Sequence, residues 1–364
     1  MMHIIHISTE NVWRGGEQQI AYLIEELALK RINSVVLCRK ESAFHQYCIE
    51  KNIVYFTFNG SSGINFRAAF QLIKINKKIS DSIVHAHSSK GLTLALIASI
   101  LGLTAKIVYT KRVDFPLKKS FFTRWKYNTR RLSHIICISH AIKNTLVSYL
   151  NNPEKNMSVI YSGIDLKRFE KSNLKSLREK FNISDEDIII GSVAALDDSK
   201  DPWTVIHAAE ILFSRNYHFR FVLIGNGPLK NDIQSYLESK NLTDKICIAG
   251  YLDKAYEYIS DMDVFLLVSK REGLGTSILD SFASRTPVIG TQTGGIPELV
   301  LHQKTGLIIP VSNPEKLANS IEKLINEKEL RTAITKVAHD YVHEFSKEVM
   351  TSKTIDVYHQ ILNS

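Results

Sequence analysis

The densest run of chemically capable residues is Ser269-Lys270-Arg271-Glu272-Gly273-Leu274-Gly275-Thr276-Ser277-Ile278-Leu279-Asp280. An apolar, strand-like run ends at Ser269, Gly273 and Gly275 make a turn, and a helix is expected from about Thr276. Backbone N–H groups at a helix start, reinforced by the helix dipole, suit an anion. Glu272 precedes the turn and Asp280 lies one helical turn inside, so both are expected to line one cleft. A second turn of this kind, Thr293-Gly294-Gly295-Ile296-Pro297-Glu298, follows the run Pro287–Thr291, and Pro297 is compatible with a first helical turn. Two anion-holding turns in one domain point to a diphosphate.

The first half offers two further loops. In Ser8-Thr9-Glu10-Asn11-Val12-Trp13-Arg14-Gly15-Gly16-Glu17, paired glycines before a helix let amides approach a phosphate, and Arg14 could add a charged contact. The glycines are adjacent rather than spaced G-x-G-x-x-G, which argues against a nicotinamide dinucleotide; a plain tight turn is the other reading. In Ile83-Val84-His85-Ala86-His87-Ser88 the two histidines share one strand face near its C-terminal end. One could reach a bound sugar, or both could make structural hydrogen bonds. No third ligand is evident beside them, so no metal is expected. Asp261-Met262-Asp263 resembles a metal–diphosphate motif but precedes an apolar strand instead of following one, and is set aside.

These loops need a scaffold. Strands are expected at Ile4–Ile7, Ser34–Cys38, Ile53–Phe56, Ile83–His87, Ile107–Thr110, Ile135–Ser139 and Ser158–Tyr161. The second half repeats the scheme at Ile188–Val193, Phe219–Ile224, Ile246–Ala249, Val264–Ser269, Pro287–Thr291 and Leu307–Ile309. Between the first two runs, Ile20, Leu23, Ile24 and Leu27 give Gln18–Lys30 helical periodicity. Strands alternating with helices imply parallel sheets with helical crossovers, hence two doubly wound α/β domains facing a central cleft. The expected domains are 1–168 and 169–343, joined by a polar link over about 164–176. A final helix over 344–364 is expected to pack back on the first domain.

Composition narrows the class. A chain of 364 residues with 44% hydrophobic and 23% charged content is ordinary for a globular protein of two domains. The longest uncharged apolar stretch, Leu92 to Ala105, is shorter than the roughly 20 residues needed to span a bilayer. The opening Met1-Met2-His3-Ile4-Ile5-His6-Ile7 reads as a first strand rather than a signal peptide. Cys38, Cys48, Cys137 and Cys247 contain no C-x-x-C spacing and read as free thiols in a reducing cytoplasm. Residues 1–170 hold 24 Lys+Arg against 11 Asp+Glu, whereas the remainder is net acidic. Nine of those cations (Lys106, Lys111, Arg112, Lys118, Lys119, Arg124, Lys126, Arg130 and Arg131) fall within 106–131 against the single acid Asp114. Such a patch suits an anionic membrane surface or is a solvated face. Nucleic acid is not the expected partner, for no reading helix accompanies the charge.

Taken together, the chain resembles, across nearly its whole length, the retaining GT-B glycosyltransferases with an E-x7-E element (group 1, family 4). The marks are Gly15-Gly16-Glu17, His85-Ala86-His87-Ser88, Val159-Ile160-Tyr161-Ser162-Gly163-Ile164-Asp165 with Phe169, and Ile224-Gly225-Asn226-Gly227-Pro228. Further marks are Gly250-Tyr251, Glu272-x7-Asp280, Gly294-Gly295-Ile296-Pro297-Glu298 and Lys304-Thr305-Gly306-Leu307. The resemblance implies transfer of a hexose or N-acetylhexosamine from a UDP- or GDP-sugar to a glycan or lipid-linked acceptor, in polysaccharide or lipopolysaccharide assembly. It further implies retention of configuration, no cofactor, and a cytoplasmic place that includes the inner membrane face. Glu272, His87 and Lys200 are expected to carry the transfer: Glu272 on donor-sugar hydroxyls, Lys200 on the diphosphate, His87 near the sugar. Gly15, Gly16, Gly225, Gly250, Tyr251, Gly273, Leu274, Gly275, Thr276, Asp280, Gly294 and Gly295 are expected around the donor. Arg14, Arg112 and Arg124 are expected on the acceptor side. Asp280 stands where the family has a second Glu on the ribose. Ala194-Ala195 stand where it has an arginine, which Arg14, Arg112 or Arg271 might replace. A nucleotide-sugar epimerase or hydrolase of the same fold is the alternative.

Overall fold

Runs of Val, Ile and Leu that are buried on both faces form strands, because parallel sheets are covered by helices on each side. The computed structural model describes residues 2–60, 64–79, 81–114, 120–151, 156–170 and 176–363. The chain divides into two compact units: Met1–Gly163 together with Lys347–Ser364, and Ile164–Ser346. The first contains β1 (His3–Ser8), β2 (Asn33–Arg39), β3 (Tyr55–Phe58), β4 (Ser82–Ala86), β5 (Lys106–Lys111), β6 (Leu132–Cys137) and β7 (Met157–Val159). The second contains β8 (Ile188–Val193), β9 (Phe219–Ile224), β10 (Ile246–Gly250), β11 (Val264–Leu267), β12 (Val288–Thr291) and β13 (Leu307–Ile309).

Every strand pair described is parallel. The sheet orders are β3-β2-β1-β4-β5-β6-β7 and β10-β9-β8-β11-β12-β13. Winding reverses between β1 and β4 in the first sheet and between β8 and β11 in the second. Loops beyond the strand C-termini at such reversals splay apart, which is where ligands bind in open α/β sheets.

The helix Gly15–Leu29 buries Ile20, Leu23, Ile24 and Leu27, the residues whose spacing predicted it. The final helix, Lys347–Leu362, sets Met350, Val357, Tyr358 and Ile361 into one cluster with Ile4, Leu23, Ile83 and Val108. Lys347 also reaches Glu26 at 3.4 Å. The division between units falls at Gly163/Ile164 instead of 168/169, because Ile164 N donates to Phe345 O at 2.8 Å within the second unit. Of the expected link, Leu166–Arg168 forms a 3-10 turn, and residues 171–175 lie outside those described.

Candidate functional site

In the second unit, three loops beyond the strand ends interlock. After β8, Asp197 Oδ1 accepts from the amides of Ser199 (2.9 Å) and Lys200 (3.2 Å), curling the chain into the 3-10 turn Asp198–Lys200. After β11, the Lys270 amide donates to Ser199 O at 2.9 Å, and Lys270 Nζ bonds Asp198 at 2.6 Å. After β12, Thr293 Oγ1 donates to Lys270 O at 3.0 Å, and the Gly295 amide donates to Glu272 O at 3.2 Å. Gly294 has φ +51°, and a Cβ there would stand 1.7 Å from Glu272 O. Only glycine lets the third loop lie this close to the second.

This arrangement brings Lys200 and Glu272 together. Lys200 Nζ donates to Glu272 Oε2, and Glu272 Oε1 accepts from the Gly273 amide at 3.0 Å. Both side chains line a hollow of about 210 Å³ with Ala194, Gly275, Thr276 and Asp280. Asp280 lies within the helix Thr276–Ala283, as its spacing predicted. Desolvation among apolar neighbours raises its carboxyl to about 6, with Arg168 pulling the other way. Arg168, which sequence reasoning missed, lies over the Tyr256 ring at 3.4 Å.

The remaining expected donor residues are placed unevenly. Leu274 is buried in the loop. Gly225 packs against the 194–196 segment, where a Cβ would meet Ala194 O at 1.8 Å, and its amide donates to Gly250 O at 2.8 Å. Tyr251, next along the chain, is 71% exposed. The amides of Gly273 and Gly295 are committed to Glu272, and the helix after Gly295 runs only from Ile296 to Leu299. The 294–295 turn, expected to grip a phosphate, therefore acts here as a brace for Glu272. Asp261 and Asp263 are likewise structural: Asp261 Oδ2 accepts from Ser176 Oγ and the Leu177 amide, and Asp263 Oδ2 accepts from the Ile189 amide.

In the first unit, the reversal between β1 and β4 gathers a group of histidines. His6 and His85 are register partners, and His87 follows β4. A third histidine thus stands beside the predicted pair, contrary to the expectation that none was near. The three offer ring nitrogens within 4.8 Å of one another. His6 Nδ1 lies 3.0 Å from His87 Nε2, and His6 Nε2 lies 3.3 Å from Ser34 Oγ. His85 Nδ1 meets the Tyr358 hydroxyl at 2.6 Å and His85 Nε2 meets Thr110 Oγ1 at 2.7 Å. An Arg112 guanidinium nitrogen lies 3.5 Å from His87 Nδ1. Ring nitrogens joined to one another and faced by a guanidinium make a hydrogen-bonded chain; the adjacent positive charge works against a cation. Burial lowers His6 to about 3 and holds His85 and His87 well below the usual imidazole range, so all three are neutral.

Glu17 sits buried at the start of the helix after Gly15 and Gly16, its Oε2 accepting from the Arg14 amide at 3.2 Å. The chain thus supplies a carboxylate of its own at this helix start. Burial raises Glu17, with Arg112 opposing, and lowers Arg112 to about 10. Arg14 is exposed, and Arg124 lies on another helix, Phe121–Asn128, with a 3.4 Å contact to Asn151.

The basic stretch is thinner than its composition implies. Lys111 and Lys126 are buried; Lys126 Nζ bonds Ser89 O, Ser89 Oγ (2.9 Å) and Thr93 Oγ1 (2.8 Å). Desolvation lowers Lys126 to about 8. Lys118 and Lys119 lie outside the described residues, while Lys106, Arg124, Arg130 and Arg131 are exposed. Phe121 is 89% exposed beside them. Among the described residues, no helix is long and apolar enough to cross a membrane.

Two family models match side by side: Glycosyltransferase Family 4 over residues 13–168 and Glycosyl transferases group 1 over 174–340. With two parallel Rossmann-like sheets beneath them, the chain is a glycosyltransferase of the GT-B fold. Its sequence is 24% identical over 301 residues to an N-acetyl-alpha-D-glucosaminyl L-malate synthase of Bacillus anthracis, covering 81% of this chain and 78% of that one. Over 371 residues it is 23% identical to the UDP-Gal:alpha-D-GlcNAc-diphosphoundecaprenol alpha-1,3-galactosyltransferase of Escherichia coli, covering 98% and 96%. A glycosyltransferase from Rickettsia africae superposes with a TM-score of 0.86 at 21% identity, covering 100% of this chain and 99% of that one. Anabaena HepE in complex with UDP-glucose superposes at 0.84 and 18%, covering 98% and 99%.

Proposed function

We propose that this glycosyltransferase moves a hexose or N-acetylhexosamine from a UDP- or GDP-sugar to a glycan or lipid-linked acceptor, retaining anomeric configuration without a metal. The observation that carries this reading is the convergence of Lys200, Glu272 and Asp280 on one hollow at the second sheet's reversal. Lys200 takes the diphosphate, Glu272 the sugar hydroxyls, and Asp280 the ribose. The eight-residue helix Thr276–Ala283 points its positive end at the same hollow. As the anomeric C–O bond breaks, the departing diphosphate gains charge, which the ammonium and the helix start stabilise. Because Lys200 and Glu272 bond each other, the diphosphate draws the lysine away and frees the carboxylate for the sugar.

His87 accepts from a sugar hydroxyl, and Arg14, Arg112 and Arg124 serve the acceptor. The names of the B. anthracis and E. coli relatives support a sugar-transfer role, and the E. coli name supports a lipid-diphosphate acceptor. Exposed Arg124, Arg130 and Arg131 with Phe121 suit an anionic leaflet, placing the enzyme peripherally on the cytoplasmic face.

A panel of nucleotide sugars should include one that raises the melting temperature, since a ligand selective for the folded state stabilises it. With that donor, Lys200→Ala and Glu272→Ala should each lower kcat/KM by about a hundredfold or more. Full transfer by both variants would remove these residues from the site. Epimerised sugar formed from donor alone would favour the alternative activity.

A further inference from the structure

His6 is a buried polar side chain in the middle of β1, fully enclosed, and none of the roles assigned above uses it. Its neighbours fix where its proton lies. Arginine can only donate, so the Arg112 contact makes His87 Nδ1 an acceptor without a proton. A neutral imidazole carries one proton, so that of His87 is on Nε2, where it donates to His6 Nδ1 at 3.0 Å. The His6 proton is then on Nε2, facing Ser34 Oγ at 3.3 Å. Donation thus runs one way, from Arg112 through His87 and His6 to Ser34. His85 cannot reverse it, since Tyr358 and Thr110 occupy both its ring nitrogens. The Arg112 contact, at 3.5 Å, is the longest in the series and the one a ligand hydroxyl can replace without disturbing the others.

We propose that His6 is a positioning residue for glycosyl transfer: by accepting the Nε2 proton of His87 it keeps the Nδ1 lone pair of His87 available to a sugar hydroxyl. This rests on His87 being a sugar contact, as read above. Without His6, the Nε2 position of His87 loses its acceptor, the proton can move to Nδ1, and the ring then offers a hydrogen where it should accept one.

The test uses the full chain labelled with 15N-histidine, comparing wild type, His6→Asn and His6→Leu. Asparagine can place its carbonyl oxygen near the position of Nδ1 and so keep the acceptor; leucine cannot. Wild type and His6→Asn should both show His87 as the Nε2–H tautomer. His6→Leu should show the Nδ1–H form or a mixture, with kcat/KM about tenfold lower, the effect of roughly one hydrogen bond. Melting curves identify any variant that has merely unfolded, and His6→Asn then decides alone. A folded His6→Leu that keeps the Nε2–H tautomer overturns the proposal, as does a folded His6→Asn with the Nδ1–H tautomer. The tautomer is read without any donor, so failure to find a sugar nucleotide that binds would count against the transferase reading and not against this one.

Discussion

A carboxyl group held among apolar side chains resists ionisation, and Asp280 is such a group, raised from 3.8 to about 6. The folded chain therefore binds its proton more tightly than the unfolded chain does. Stability falls as pH rises through this window, and above it the ionised carboxylate is a standing cost. Asp280→Asn should therefore stabilise the fold by about 1–2 kcal/mol at pH 7.5, allowing for the side chain's partial exposure. The gain should vanish near pH 3.5, where both states are protonated. Thermal unfolding of both proteins at the two pH values measures this directly; an equal gain at both would show that the cause is not ionisation. Conserving a strained charge at the cost of stability is what a ligand-binding carboxylate does.

Among the elements, the loop after β12 shows how backbone positions chemistry. Gly294→Ala would drive a methyl group into Glu272 O and force apart the loops that hold the Lys200–Glu272 pair. Transfer should fall at least tenfold, and stability by about 1–3 kcal/mol. Gly102→Ala, also at positive φ but with nothing within 4 Å, carries the backbone strain alone and should leave transfer unchanged. Equal losses in both would mean that strain, and not displacement of Glu272, is responsible. The strands were legible because parallel strands buried on both faces leave uninterrupted apolar runs such as Ile188–Ile190 and Val264–Leu267. His6 escaped notice because its partner lies 81 residues away, and only the register of β1 against β4 brings them together. The single available signal was a histidine inside an otherwise apolar first strand. Lys126 was misplaced for a related reason: within the helix Phe121–Asn128 nothing distinguishes it from exposed Arg124, and its burial is decided by Ser89 and Thr93 on another helix.

On the scale of the whole molecule, positive charge is concentrated in residues 1–170, whereas 171–364 is net acidic. If the exposed arginines carry membrane docking, flotation with anionic liposomes should weaken with added salt. Replacing Arg124, Arg130 and Arg131 by alanine should weaken it by on the order of fivefold for each. Binding that survives both changes would place the contact elsewhere. Lys126→Ala should act differently, lowering stability through its lost bonds to Ser89 and Thr93.

Residues 347–362 supply part of the first unit's core from the far end of the polypeptide. On the ribosome, the stretch made first must therefore wait for the stretch made last. While it waits, Ile4, Leu23, Ile83 and Val108 lack the partners that seal them, whereas Ile164–Ser346 already holds everything it needs to close. The second sheet can mature before the first, reversing the order of synthesis, and a nascent chain halted near residue 346 would carry one finished half and one open one.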